Sequence, residues 1–134
     1  SIFDRTIESN GLKDTAARLH KGIITFSPLA QGLLTDRYLH GIPADSRVHT
    51  DGRFLKETDL TPEKLAKIRA LNEMAAARGQ TLAEMALAWL LSHEEITTVL
   101  IGASKTQQIL DNIKAVQNTS FTAEELAEID RISK

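Results

Sequence analysis

The sequence predicts a layered α/β fold with parallel strands, and three observations carry that reading. Two short apolar runs, GIITF over residues 22–26 and TTVLI over residues 97–101, are bounded by turn formers, as strands buried on both faces are. A long stretch of helical periodicity separates them, and crossovers of that kind join parallel neighbours. Helix starts along the chain carry repeated capping signatures. A stable sheet usually needs three or more strands, so two strands imply part of a larger domain.

In order, the chain opens without a cap or entry signal. Residues 12–20 then read as a short helix with Leu12, Ala16 and Leu19 on one side. Lys21 and Gly22 turn it into the first strand, which Ser27 and Pro28 end, because proline lacks the N–H that a ladder needs. Residues 41–60 hold Gly41, Pro43, Asp45, Ser46, Asp51 and Gly52, and so read as a long functional loop. Thr61, Pro62 and Glu63 start a helix near 62–78 with a stripe of Leu65, Ile68, Leu71 and Ala75, closed by a left-handed cap at Gly79. Thr81 and Glu84 box the next helix, near 82–92, with Met85, Trp89 and Leu90 facing inward. After the second strand, Ser104 and Gln107 fit a box for a helix over 105–116 that carries Ile109, Ile113 and Val116. Thr122 and Glu125 fit one for a helix over 123–132.

Composition narrows the function. A net charge of −2 with both signs scattered argues against a nucleic-acid footprint and a polybasic membrane anchor. The longest apolar run, Met85 to Leu91, is far short of a bilayer span, and the first residues lack the apolar core of a signal peptide. No cysteine is present, which removes disulfide and thiolate chemistry and fits a reducing cytoplasm. His20, His40, His49 and His93 lack ligand spacing and read as surface or packing residues, so no metal is expected.

Ligands of parallel α/β folds bind at the carboxyl ends of strands, where two segments lie. In LIGASKTQQILDN, Gly102 permits close backbone approach, and Ser104 and the free N–H groups of a helix start favour an anion. Lys105 adds a positive charge there, and Gln108, Asp111 and Asn112 follow one turn later as hydrogen-bonding groups. The plainer alternative is an ordinary strand-to-helix turn. In TFSPLAQGLLTDRY, Gln31, Gly32, Thr35 and Arg37 are the polar or permissive positions. The alternative there is a short helix packed through Leu29, Leu33, Leu34 and Tyr38, with Arg37 solvated.

The segments FSPLAQGLLTDRY, GIPADSR and VLIGASKTQQILDNI, in this order and spacing, resemble the aldo-keto reductase superfamily. The likeness runs from Phe3 to Ile132 and is nearest the branch of bacterial glyceraldehyde-3-phosphate-type reductases and potassium-channel β subunits. It implies an α/β fold of a particular kind, the C-terminal portion of a (β/α)8 TIM barrel, with residues 22–26 as the seventh strand and 97–101 as the eighth. Such barrels take ~250 residues, so roughly half would lie outside this chain.

The resemblance also implies NADPH as cofactor. Ser27, Pro28, Leu29, Gln31 and Gly32 would run along its pyrophosphate, Arg37 would meet the phosphates, and Arg47 would clamp over it from the long loop. Gly102, Ser104, Lys105 and Gln108 would take the adenosine phosphate end, with Asp111 and Asn112 facing the adenine. The family's catalytic Asp, Tyr, Lys and His have no counterpart here, since the one tyrosine, Tyr38, lies in the cofactor loop. The whole protein is expected to reduce a small carbonyl substrate, an aldehyde or ketone, by hydride transfer, as a cytoplasmic homo-oligomer. Alternatives are a cofactor-sensing subunit of the same fold and an inactive fragment. Taken alone, the chain is expected to be inactive and to self-associate, because Ile23, Ile24, Phe26, Val99 and Leu100 would lack inward partners.

Overall fold

The two strands pair, and they pair in parallel. In the computed structural model, which describes residues 1–44 and 55–134, β1 (Ile23–Thr25) lies beside β2 (Ile96–Val99). Ile24 is opposite Thr98 and Thr25 opposite Val99, with an irregularity between Ile23 and Ile24. The Leu100 N–H extends the pairing by donating to the Thr25 carbonyl at 2.8 Å. Gly22 enters this sheet because a Cβ there would stand 2.5 Å from the Thr97 hydroxyl. Both strands are shorter than the apolar runs that announced them.

Among the described residues six α-helices accompany the pair: α1 (Thr6–Ser9), α2 (Leu12–Arg18), α3 (Pro62–Ala77), α4 (Leu82–Leu91), α5 (Thr106–Asn112) and α6 (Ala123–Ser133). A 3-10 turn, Ile113–Gln117, continues α5, and further 3-10 turns cover Ala30–Gly32, Asp36–Tyr38 and Glu57–Asp59. Helix α1 was not expected. Its signal is Asp4, whose carboxylate accepts from the Thr6 N–H at 3.0 Å and the Thr6 hydroxyl at 2.7 Å.

The caps mostly follow the sequence pattern. Thr61 accepts from the Lys64 N–H at 3.1 Å, and Thr81 and Thr122 each form a reciprocal box with Glu84 and Glu125. After α3, Gly79 takes φ 70, and the Gly79 and Gln80 N–H groups return to Ala76 and Ala75, a Schellman ending. The box at α5 is displaced from the expected pair. Gln108, not Gln107, reaches back to the Ser104 and Lys105 N–H groups, and Gln107 instead bonds Asp111.

The main core lies between α3, α4, α6 and the segment after β1, with Ile68, Leu71, Met85, Trp89, Ile129, Leu34 and Tyr38 buried together. Helix α4 is apolar almost all round because it is enclosed: Met85 and Trp89 face that core, while Leu87 and Ala88 meet Ala115 and Val99. Arg78 holds the start of α6 and the segment before it through Glu125 and Ser120 O, and Arg5 holds the other end of α6. Arg5 donates to Ser133 at 3.0 Å, pairs with Asp130 at 3.0 Å and lies 4.2 Å over the Trp89 ring.

Burial corrects three expectations. The strands are covered by helices on one face only. Ile23 and Ile96 pack with Ala16, and Val99 is partly buried, so these find partners. On the other face Ile24, Phe26 and Leu100 are 67%, 77% and 62% exposed, and so lack partners as expected of this chain. Continuous apolarity reports what a strand can bury, and here only half of it is buried. Along α5 and its 3-10 extension, Ile109, Ile113 and Val116 are exposed and Ala115 is the inward residue. In α2, Leu12 and Leu19 are likewise exposed and Ala16 alone is buried. Among the described residues, no helix is long and apolar enough to cross a membrane.

Candidate functional site

Parallel neighbours end at the same side of a sheet, so the segments that follow β1 and β2 meet at one carboxyl edge. The first of them, residues 27–32, departs from ordinary backbone. Ser27, Ala30 and Gln31 take φ values of 50, 48 and 61, and Gly32 takes 93. Left-handed backbone costs a non-glycine residue roughly 1–2 kcal/mol, and strain of this kind concentrates where a ligand is held. Only Gly32 advertised the geometry in the sequence. Ser27, Ala30 and Gln31 belong to residue types that give no such signal.

Local hydrogen bonds fix this loop. The Ala30 N–H donates to Ser27 O at 3.0 Å, and the Gly32 and Leu34 N–H groups converge on Leu29 O at 2.9 and 3.1 Å. The Gln31 amide donates to the Ser27 hydroxyl at 3.2 Å, which brings two of the expected cofactor residues together. Pro28 is buried and Leu29 packs against the core, so their side chains serve the scaffold while their backbone shapes the loop. Thr35 donates to Gly32 O at 2.6 Å and accepts from the Arg37 N–H at 3.2 Å, which fixes the turn that carries Arg37. Tyr38 is fully buried beneath that turn, and so takes the packing role.

The second segment is exposed. Nothing lies within 4 Å of a Cβ built at Gly102. The Gln108 side-chain oxygen accepts from the Ser104 N–H at 2.7 Å, the Ser104 hydroxyl at 3.2 Å and the Lys105 N–H at 3.2 Å. Ser104, Lys105 and Gln108 are therefore gathered into one polar cluster. Asp111 stands one turn on, bonded to Lys114 at 2.9 Å and Gln107 at 3.0 Å. The bonds from Lys114 and then Gln107 hold its carboxyl below the ordinary carboxylate value. Asn112 is half-buried beside it.

Arg47, expected to clamp the cofactor, and His49 lie outside the described residues, as does the middle of the loop. His93 has a packing role: its Nδ1 is 2.8 Å from Trp89 O and its ring meets Trp89 edge-on. Among the described residues no group of histidine and acidic side chains could hold a metal ion. The Thr25 hydroxyl, where β1 runs into the strained loop, is buried with no protein partner.

The model of the Aldo/keto reductase family matches residues 1–134. The chain is 48% identical over 134 residues to L-glyceraldehyde 3-phosphate reductase of Escherichia coli O157:H7, covering 98% of this chain and 39% of that protein. The same enzyme of Escherichia coli strain K12 shows the same identity and coverage. A putative voltage-gated potassium channel subunit beta of Schizosaccharomyces pombe is 39% identical over 115 residues, covering 83% of this chain and 33% of that protein. The chain thus spans about two fifths of the length of the reductases it matches.

Proposed function

The chain belongs to the aldo/keto reductase family, and from that premise we propose that it is the NADPH-gripping, C-terminal part of a (β/α)8 barrel. In this reading β1 and β2 are the seventh and eighth barrel strands. The whole protein reduces an aldehyde or ketone, as a cytoplasmic homo-oligomer, and the catalytic Asp, Tyr, Lys and His are supplied by the earlier strands. The observation that carries the reading is the set of left-handed residues Ser27, Ala30, Gln31 and Gly32 after β1, together with the cluster of Ser104, Lys105 and Gln108 after β2.

The residues present suit a dinucleotide. The bound cofactor would supply a hydride, and this chain's part is to hold and orient it. The strained loop, with the Ser27 hydroxyl and the Gln31 amide, would follow the pyrophosphate, assisted by Arg37. Gly102 leaves open space for close approach. The Gln108 oxygen occupies the donors of Ser104 and Lys105 that a phosphate oxygen would take, so it marks an acceptor position already formed. Lys105 would add charge there, and Asp111 and Asn112 would offer hydrogen bonds to an adenine edge. A substrate such as the glyceraldehyde phosphate named for the bacterial relatives would bind mainly to parts of the protein beyond this chain.

Arg47, Ser104, Lys105 and Gln108 would surround a 2′-phosphate, each charge-assisted contact contributing about 1.5–3 kcal/mol. In the whole protein Arg47→Ala is therefore expected to weaken NADPH binding much more than NADH binding. Equal losses for the two nucleotides would remove Arg47 from the phosphate site. The similarity to channel beta subunits favours a second reading, a cofactor-sensing subunit. Turnover of NADPH with simple aldehydes by the whole protein separates the two.

A further inference from the structure

We infer that Asn10 is a site of spontaneous covalent modification, converted to aspartate and isoaspartate through attack by the Gly11 backbone nitrogen. The inference is independent of the cofactor site. Asn10 and Gly11 form the corner between α1 and α2, and both are exposed. Gly11 takes φ 80, and nothing lies within 4 Å of where its Cβ would be, so neither a side chain of its own nor a packed neighbour stands on that side of the peptide. The Leu12 N–H donates to Asn10 Oδ1 at 3.0 Å. That oxygen gains negative charge as its carbon is attacked, and a donor already aimed at it stabilises the developing charge as an oxyanion hole does. The reacting groups sit on adjacent residues, so the step is intramolecular.

The Gly11 nitrogen loses its proton to solvent and bonds to Asn10 Cγ. The Cγ–Nδ2 bond breaks, and ammonia leaves with a proton from water, which closes a five-membered imide. Water then opens either imide carbonyl. Opening on one side restores a normal backbone with a carboxylate side chain. Opening on the other inserts the side-chain methylene into the main chain. The net change is amide plus water to carboxylic acid plus ammonia, with no oxidant or reductant.

The two products have different structural consequences. A carboxylate on a normal backbone keeps an acceptor for Leu12 and adds negative charge at the start of α2, where the helix dipole favours it. The lengthened backbone displaces both the Leu12 contact and the Asn10 N–H bond to Thr6 O, which closes α1 at 3.1 Å. The other asparagines, Asn72, Asn112 and Asn118, precede Glu, Ile and Thr, and serve as internal controls.

The test is timed incubation of the whole protein at neutral and mildly alkaline pH, followed by peptide mapping with mass spectrometry. The expected result is amide-to-acid conversion in the tryptic peptide of residues 6–13, faster at higher pH and partly isoaspartyl, while Asn72, Asn112 and Asn118 remain amides. Gly11→Ala should slow it by roughly tenfold or more, because a side chain crowds the attacking nitrogen and is strained at this φ. Asn10 conversion no faster than that of Asn118 in the unmodified protein overturns the inference, whatever the variant does.

Discussion

Arg78 shows how much one side chain can hold. It lies at the end of α3 with only 5% of its side chain exposed, yet every arm of the guanidinium is engaged. It pairs with Glu125 at 2.6 Å, donates to Ser120 O and Gln80 Oε1 at 2.9 Å each, and stacks 3.7 Å from Phe121. Burial opposes ionisation of Glu125, but the Thr122 N–H and the Arg78 guanidinium outweigh it and hold the carboxyl below its ordinary value. A depressed carboxylate stabilises the fold above its unfolded value of ~4.3, and that contribution is lost as the pH falls through the lower folded value. Arg78→Ala should lower stability by about 2–3 kcal/mol at neutral pH, read from the denaturant midpoint, and should flatten the acid limb of the stability profile. An unchanged midpoint would mean that Gln80 and Ser120 find equivalent partners in water. None of this network was legible in the sequence, because its members are brought together by tertiary packing and not by spacing.

At the level of elements, the sequence was most readable where the physics is local. Threonine caps with a glutamate three residues on pair helix-end groups, proline at the first turn of α3 removes one such donor, and glycine after its last turn lets the closing bonds form, and each is seen in the structure. The parallel pairing was also legible, from the length of the crossover. Burial was less so, since Ile24, Phe26, Ile113 and Val116 are apolar without being enclosed. The candidate site was legible as two segments at strand ends, but not as strained backbone, because left-handed φ at Ser27, Ala30 and Gln31 follows from the turn and not from side-chain type. Ala30→Gly tests that strain. Removing the Cβ at φ 48 should raise stability by about 0.5–1 kcal/mol, the relief exceeding the entropy cost of a more flexible unfolded chain. A clear loss would show that packing of the Ala30 methyl outweighs the strain.

Across the whole molecule, the exposed strand face and the exposed apolar stripe after β2 lie on a chain that matches two fifths of its reductase relatives, and the barrel proposed for the whole protein would cover such surfaces. The loop strain, the open Gly102 and the Ser104–Gln108 cluster all stand at the carboxyl edge of the strands, the end proposed to hold the cofactor. Residues 27–37 and 102–112 are thus proposed to hold a dinucleotide together. Hydrogen exchange measured by mass spectrometry on the whole protein, with and without NADPH, tests this directly. Slowed exchange in peptides covering 27–37 and 102–112, with α3 and α4 unchanged, is the predicted result. Binding of NADPH that protects neither segment, or only one of them, would contradict it.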